Sequence, residues 1–354
     1  MRIERLKNEL REREADGYLV TNVNNVYYFT GFMDISAATL NLIIPQNGGA
    51  VLLTQPLSYK AAVEKAANCA VKEVPFGEKM VDRLIWEVRS LGLKHLEFDS
   101  IPIAIFLKLV EGLGEVKFKP NQDLIWDLRR VKSNEEIEFL RKASELADIG
   151  VEAGIEAVKP GVREYEIAAE AEYAMRVHGS EGVAFETIVA SGPRSAHPHG
   201  VCSRRVVHEG DFIIVDLGAI YSGYRSDLTR TVVVGRPSKR QSQIVNLVLE
   251  AQREALQRIR AGLKAKEADS VARDVLASGG YDKYFLHGLG HGVGLDIHEP
   301  PTLSSGSDDV LEEGNVVTVE PGIYIDGFGG VRIEDTVLVH KYGVERLTHA
   351  SYYL

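Results

Sequence analysis

The chain has 354 residues, 45% of them hydrophobic and 26% charged, which is the composition of an ordinary soluble globular protein with room for two domains. A formal net charge of −10 argues against the basic footprint of a nucleic-acid binder. Two cysteines far apart in sequence, Cys69 and Cys202, make neither a disulfide framework nor a zinc-knuckle spacing, and so point to a reduced, cytoplasmic setting.

The first residues, Met1-Arg2-Ile3-Glu4-Arg5-Leu6, are charged and have no long apolar core behind them, so no signal peptide is expected. No apolar run approaches membrane-spanning length. Ile3, Leu6 and Leu10 recur at helical spacing, and Gly17 stops that run. Gly17 to Thr21 reads as a short strand. Leu40 to Ile44 and Ala50 to Thr54 read as two more, joined by Pro45-Gln46-Asn47-Gly48-Gly49, whose Asn-Gly step is a hairpin signal. Helix and strand then alternate to about residue 125. Residues 1–126 are therefore expected to form a compact α/β domain without obvious catalytic residues.

Residues 127–354 are expected to form a second domain. Ser133-Asn134-Glu135-Glu136 fits a capping box, in which the Ser hydroxyl takes an orphan amide and the Glu reaches back. A long helix should start there, with Ile137, Leu140 and Ala147 on its buried side. A second helix is expected over about 164–178 and a hairpin over about 206–234. Further helices follow over about 239–259 and 266–277, then a second hairpin over about 315–339. The order helix, helix, hairpin occurs twice, which suggests two half-domains related by a pseudo-twofold with a site between them.

Carboxylates sit in the wrong places in this second domain. Asp216 lies in Phe212-Ile213-Ile214-Val215-Asp216-Leu217, Glu320 closes Val316-Val317-Thr318-Val319, and Glu334 interrupts Val331-Arg332-Ile333-Glu334-Asp335-Thr336-Val337. Strand cores disfavour such residues, and an unpaired buried charge is costly. Facing residues of a hairpin are equidistant from its turn. The midpoint between Asp216 and Asp227 falls at Tyr221-Ser222, beside Gly223, and that between Glu320 and Glu334 falls on Gly327. Each pair should therefore face, or nearly face, across its hairpin. A single acid of this kind is usually a solvated surface residue. One facing pair could be a general acid/base couple, as in glycosidases. Two facing pairs and a histidine fit metal binding better, because like charges set opposite each other need a cation between them.

The histidine comes from His287-Gly288-Leu289-Gly290-His291-Gly292-Val293-Gly294, too glycine-rich for a helix. A tight loop is expected there, carrying one ring to the site and letting backbone come close. His298, in Asp296-Ile297-His298-Glu299-Pro300, and His199, in His197-Pro198-His199-Gly200, lie on neighbouring loops. A lone loop histidine is usually bland; three such loops bordering an acid cluster reverse that expectation. An oxygen-rich set with one imidazole suits two divalent cations, manganese or cobalt(II) before zinc. Such a pair would roughly balance four anionic ligands and activate a shared water.

At these residues the sequence closely resembles the pita-bread metallopeptidases, that is, prolidase, aminopeptidase P and methionine aminopeptidase. The matching stretches are Asp216-Leu217-Gly218, Ser226-Asp227-Leu228-Thr229-Arg230-Thr231, His287-Gly288-Leu289-Gly290-His291-Gly292, Thr318-Val319-Glu320-Pro321-Gly322-Ile323-Tyr324 and Gly330-Val331-Arg332-Ile333-Glu334-Asp335-Thr336. They cover about residues 130 to 354. Asn25-Val26-Tyr27-Tyr28-Phe29-Thr30-Gly31-Phe32 is similar to the signature of the creatinase-type N-terminal domain, which methionine aminopeptidases lack. The resemblance implies a two-domain α/β protein: a creatinase-type α/β domain followed by a pita-bread α+β catalytic domain with pseudo-twofold symmetry.

It also implies roles. Asp216 would chelate one metal, Asp227 and Glu334 would bridge both, and His291 and Glu320 would hold the other. Glu320 would also handle the proton of the attacking water. His199 and His298 would steady the substrate carbonyl and the tetrahedral intermediate. Arg332 would lie beside the site and bind substrate, a structural ion pair with a nearby acid being the alternative. All five ligands of the family stand here, which speaks against metal-free creatinase chemistry. One departure concerns substrate length. Many prolidases carry an arginine shortly after His-Glu-x-Pro that is thought to grip a dipeptide's carboxylate, whereas here His298-Glu299-Pro300-Pro301 runs on into Thr302-Leu303-Ser304-Ser305. The expected activity is an Xaa-Pro dipeptidase. An Xaa-Pro aminopeptidase acting on longer peptides is the alternative, and a non-catalytic peptide-binding protein of the same fold is a further one. The expected partners are a proline-containing peptide and a second copy of the chain in a homodimer, with no nucleic acid and no membrane.

Overall fold

The computed structural model describes residues 2–34 and 40–353, and the chain divides into two compact units, Met1–Arg129 and Arg130–Leu354. Met1, where the sequence reading begins, and Leu354, where it ends, lie outside the described residues.

In the first unit the helix Arg2–Glu12 buries Ile3, Leu6 and Leu10, the residues whose spacing predicts it. A six-stranded sheet has Gly17–Val20 and Asn41–Pro45 at its centre. The strands Asn41–Pro45 and Ala50–Thr54 pair antiparallel across the predicted turn. Strand pairings further out are parallel, Ala50–Thr54 with Cys69–Glu73 and His95–Phe98 with Lys117–Pro120. Leu19, Ile43 and Leu53 of the sheet pack with Leu84 and Val88 of the helix Met80–Ser90 in one core. The strands Gly17–Val20, Asn41–Pro45 and Ala50–Thr54 are buried on both faces, which is why they read as nearly unbroken apolar runs, whereas the outer strands Cys69–Glu73 and Lys117–Pro120 are partly exposed.

The second unit repeats one design. The capping box at Ser133 is formed: its hydroxyl accepts the Glu136 N–H, and the Glu136 carboxylate accepts the Ser133 N–H at 2.9 Å. The helices Asn134–Glu156 and Glu164–Val177 lie on a three-stranded sheet of Ile188–Ser191, Phe212–Leu217 and Leu228–Val233. Ala147, Val151, Ile167 and Ala171 meet Val189, Ile213 and Val215 there. The helices Lys239–Arg258 and Ala265–Ser278 likewise lie on a five-stranded sheet containing Val316–Val319 and Asp335–His340. Val248, Ala251, Ala272 and Leu276 meet Val317, Val319, Val337 and Val339. Each half thus has its own helix pair, its own sheet and its own apolar core.

Both hairpins are interrupted. The first continues past its main ladder into a small tip, Ile220–Tyr221 with Tyr224–Arg225, and the second into Gly322–Ile325 with Gly329–Arg332. Between ladder and tip the chain leaves strand geometry, at Ser226-Asp227 in the first hairpin and at Glu320-Pro321 and Ile333-Glu334 in the second. Those breaks hold three of the four acids.

Candidate active site

The second hairpin keeps the predicted register. Gly322 faces Arg332 and Val319 faces Asp335, so Glu320 and Glu334 stand opposite each other, with Gly327 at the turn in the left-handed region at φ 72°. In the first hairpin the register differs from the prediction. Asp216 faces Thr229, not Asp227. The turn is Ser222-Gly223, with φ 49° and 77°, one residue beyond the expected midpoint. A two-residue turn with both centres left-handed matches strand twist, and glycine makes it cheap at the second position. Asp227 therefore sits two residues before the partner of Asp216, on the same face of the pleat, diagonal to it.

The stretch around His291 also differs from the expected loop. Gly290–Gly292 is a short strand in the five-stranded sheet, paired with Glu299–Leu303 and touching Val316–Val319. The predicted close backbone approach holds. A Cβ on Gly290 would lie 2.1 Å from the Thr318 carbonyl oxygen, and one on Gly292 would lie 2.5 Å from that of Glu299. Glycine is required on either side of His291 so that its strand can sit this deep.

The site gathers around three acids. One ligand oxygen from each of Asp216, Asp227 and Glu334 lies within 4.8 Å of the others, and all three residues are buried. His291 Nε2 joins them, 3.6 Å from Asp227 Oδ2 and 3.3 Å from Glu320 Oε1. The cluster forms the floor of a cavity of about 460 Å³ whose walls include His199, His298, Arg332, Phe185, Ile188 and Thr302. His199 and His298 are on its exposed side, and the His298 ring lies 4.3 Å from that of His291, edge to face. The structure therefore brings all eight sequence-predicted residues to one cavity.

Neighbours fix these side chains. Thr229 donates to Glu334 Oε2 at 2.7 Å and accepts from Arg332 Nε at 3.1 Å. Arg332 pairs with Asp216 and donates to the Tyr324 hydroxyl at 2.7 Å. The Thr318 hydroxyl donates to Glu320 at 3.1 Å and accepts the His291 N–H at 3.0 Å. The backbone of Glu334 donates to the Thr229 carbonyl at 3.2 Å, tying the second hairpin to the first. Two contributors escaped the sequence reading. His287 Nε2 lies 2.9 Å from the Tyr324 hydroxyl, and that hydroxyl in turn holds Arg332. Tyr324 and His287 stood inside the matching stretches, but nothing in their spacing ties either one to Arg332.

Electrostatics follow from this crowding. Burial, then the charges of Glu334 and Asp216, hold the Asp227 carboxyl well above its ordinary pKa. Burial, then Glu320 and Asp216, do the same to Glu334. Asp216 is raised by burial against the opposing pull of Arg332. Glu320 behaves differently: burial would raise it, but the hydrogen bond and charge of His291 bring it to about 2. His291 is raised: burial, the largest single influence, lowers it, but the hydrogen bond and charge of Glu320, with help from Gly292 and Asp216, together outweigh burial. His298 is lowered by burial and by His291, so its ring is neutral at neutral pH.

The residues fit divalent metal. Asp216 Oδ1 and Glu334 Oε1 are buried with no hydrogen-bond partner, although a native interior rarely leaves a carboxylate oxygen idle. Both belong to the acids that converge within 4.8 Å. Carboxylate oxygens with one imidazole form a donor set for hard to borderline cations. Where a cation binds, it supplies the positive charge that raised pKa values otherwise draw from protons.

Comparison with known proteins gives the same picture. The family model described as metallopeptidase family M24 matches residues 138–341, and that of the Creatinase/Prolidase N-terminal domain matches residues 2–131. The chain is 44% identical to an Xaa-Pro dipeptidase of Pyrococcus furiosus over 98% of its own length and 97% of the relative's. Its fold is similar to that of the prolidase from Pyrococcus horikoshii OT3, with a TM-score of 0.94 at 41% identity and 99% of each chain covered. It is also similar to an X-Pro aminopeptidase from Thermotoga maritima MSB8, with a TM-score of 0.88 at 38% identity, covering 97% of this chain and 99% of the other.

Proposed function

Since the chain belongs to metallopeptidase family M24 and carries a creatinase/prolidase N-terminal domain, we propose that it hydrolyses the bond between an N-terminal residue and proline, as an Xaa-Pro dipeptidase using two divalent cations. The observation that carries this reading is the convergence of three buried acids, two of them with idle oxygens, on the floor of an open cavity. Asp216, Asp227, His291, Glu320 and Glu334 would hold the cations, manganese or cobalt(II) before zinc. Bound cations supply an activated water near neutral pH and polarise the carbonyl.

The chain's own residues do the rest. Glu320 takes and returns the proton of the attacking water. His298, neutral and on the exposed side of the cavity, and His199 beside it donate to the carbonyl oxygen as charge develops there; such donors are worth about 3 kcal/mol each. Arg332 keeps Asp216 in place and reaches the cavity wall. The bond before proline is a tertiary amide with no N–H and a fixed φ. A site built on carbonyl and amine contacts handles it without needing that N–H.

An aminopeptidase acting on longer peptides is the second reading. Among the described cavity-lining residues Arg332 is the one arginine or lysine, and Asp216, Tyr324 and Thr229 engage it. Among the described lining residues the cavity thus offers a dipeptide's free carboxylate no uncommitted arginine or lysine. The test compares Xaa-Pro dipeptides with Xaa-Pro-Yaa tripeptides, with manganese or cobalt(II) present. Faster dipeptide cleavage is expected. Cleavage of the tripeptide at a comparable rate favours the aminopeptidase. A metal-free protein that binds but does not cut would be a peptide-binding protein of this fold.

Residues 1–126 and 127–354 are proposed as the two functional domains of a cytoplasmic homodimer. On the first unit Phe76, at 99%, and Leu57, at 91% exposure, are large apolar residues that association would cover. Light scattering on the purified protein tests it, with a monomer as the contrary result.

A further inference from the structure

Glu164 has no part in the chemistry above, yet it is fully buried at the start of the helix Glu164–Val177. Its carboxylate collects five donors, all from one segment. Oε1 accepts the Ser191 N–H at 2.8 Å and the Ser191 hydroxyl at 2.6 Å. Oε2 accepts the Ser203 N–H at 2.9 Å and the Ser203 hydroxyl at 2.6 Å. The Arg194 guanidinium completes the set.

Ser191 ends the strand Ile188–Ser191, and Ser203 stands at the far end of the loop that follows. One carboxylate therefore closes both stems. Within the loop, Arg194 also donates to the Val201 carbonyl at 2.7 Å. The loop brings Pro198, His199 and Val201 to the cavity wall, and the Pro198 carbonyl accepts from Arg332 at 3.3 Å. His199 is exposed, and its place follows from where the stems of its loop are held. Charge-assisted bonds to a buried carboxylate are about twice as strong as neutral ones.

We propose that Glu164 is a positioning residue for the reaction: by closing the loop 191–203 on one buried carboxylate, it sets His199 at the substrate's carbonyl. The catalytic half of this inference rests on the peptidase reading; the structural half does not. Glutamine has the same shape as Glu164 but offers an NH₂ where donors converge, so at least one stem must open. Backbone hydrogen–deuterium exchange over 192–202 is measured in the wild type, in Glu164→Gln and in the milder Ser203→Ala, with the helix Lys239–Arg258 as internal reference. Exchange in the loop is expected to speed up about 10-fold or more in Glu164→Gln and less in Ser203→Ala, with the reference helix unchanged. On a proline dipeptide, kcat/KM of Glu164→Gln should fall on the order of 100-fold at unchanged metal content. The same change added to His199→Ala should cost little more, since both act through one ring.

Unchanged loop exchange in both variants overturns the inference. So does an equal loss of activity from Glu164→Gln with and without His199. If Glu164→Gln loosens the reference helix as well, Ser203→Ala decides. A wild type that cleaves no peptide removes the peptidase reading, while the exchange measurement still judges the clamp.

Discussion

Replacing Lys132 by methionine removes one charge of a pair sealed from solvent. Lys132 Nζ lies 2.7 Å from Glu299 Oε1, with the two side chains 1% and 2% exposed. Methionine keeps the packing of the stem and leaves the carboxylate without its cation. Breaking a buried pair from one side costs about 3–5 kcal/mol. The carboxylate keeps the Asp296 N–H at 3.4 Å and can offset the lost positive charge by taking a proton. For an ordinary glutamate of pKa about 4.3 that costs about 3.7 kcal/mol at pH 7, so the loss should settle at about 3–4 kcal/mol. The pH dependence has a definite sign. In the variant the folded chain binds a proton that the unfolded chain releases, so stability falls as pH rises. The deficit shrinks by about 1.4 kcal/mol per unit as pH is lowered and is gone below about 4.3. Changing Glu299 to leucine in the same chain should recover most of the loss, since apolar replacements of whole buried pairs are often neutral. Both tryptophans, Trp86 and Trp126, lie in the first unit, so their fluorescence does not report on this pair. Native-state hydrogen exchange of the strand Glu299–Leu303 does. A Lys132→Met variant within about 1 kcal/mol of wild type would refute the reasoning, as would a double variant no better than the single one.

Alanine at Asp227 or Glu334 should abolish peptidase activity and lower the metal content measured by elemental analysis; normal turnover by either variant is incompatible with the assigned site. Thr229→Val keeps the side-chain shape and removes the 2.7 Å bond to Glu334 together with the link to Arg332. Metal affinity, read by competition with a chelating dye, should weaken about 10- to 100-fold, and an unchanged affinity would show that the bond does not orient the ligand. Without metal, Asp227 and Glu334 are raised well above the usual carboxylate range, chiefly by burial, so they hold protons that a cation must displace. Metal uptake near neutral pH should therefore release protons, and affinity should rise with pH. Calorimetry in two buffers of different ionisation heat counts those protons; a count of zero would contradict the reading.

What the sequence disclosed and what it hid follow from range. Apolar periodicity located the helices, because Ile3, Leu6 and Leu10, or Leu140 and Ala147, face a core set by local geometry. The Glu320 and Glu334 pairing was legible because Gly327 marks its turn and the register runs unbroken through both halves of that hairpin. The first hairpin was misread by one residue at its turn. Ser222-Gly223, not Tyr221-Ser222, supplies the two left-handed positions, and a one-residue error at a turn moves the facing partner by two. The acid cluster survived the error because a shift of two keeps every side chain on the same face. The stretch at His291 read as a loop because Gly290 and Gly292 lack strand propensity. They are glycine because Thr318 and Glu299 leave no room for a Cβ, a fact of tertiary contact that no local pattern carries. Tyr324 and His287 stayed hidden for the same reason.

The breaks in the two hairpins explain how one fold tolerates so much buried negative charge. In an uninterrupted ladder, side chains at facing positions alternate strictly between the two faces of the sheet. Here Ser226-Asp227, Glu320-Pro321 and Ile333-Glu334 leave the ladder, and the freed backbone joins one hairpin to the other or to the His291 strand. The Glu334 N–H goes to the Thr229 carbonyl, and the Glu320 N–H goes to the Leu289 carbonyl at 2.8 Å. Asp227, Glu320 and Glu334 thereby reach one cavity from three chain directions while both of these broken pairings are replaced. The side chains then carry four carboxylates against the one permanent cation Arg332, which is spent on Asp216. Two ways remain to neutralise the rest: protons, which the upward shift of Asp227 and Glu334 favours, or metal. A cation would in addition engage Asp216 Oδ1 and Glu334 Oε1, the two buried carboxylate oxygens of this cluster that have no hydrogen-bond partner among the described residues. Backbone geometry fixed by the breaks thus sets the acids, and the acids in turn select a cation as the partner that completes the site.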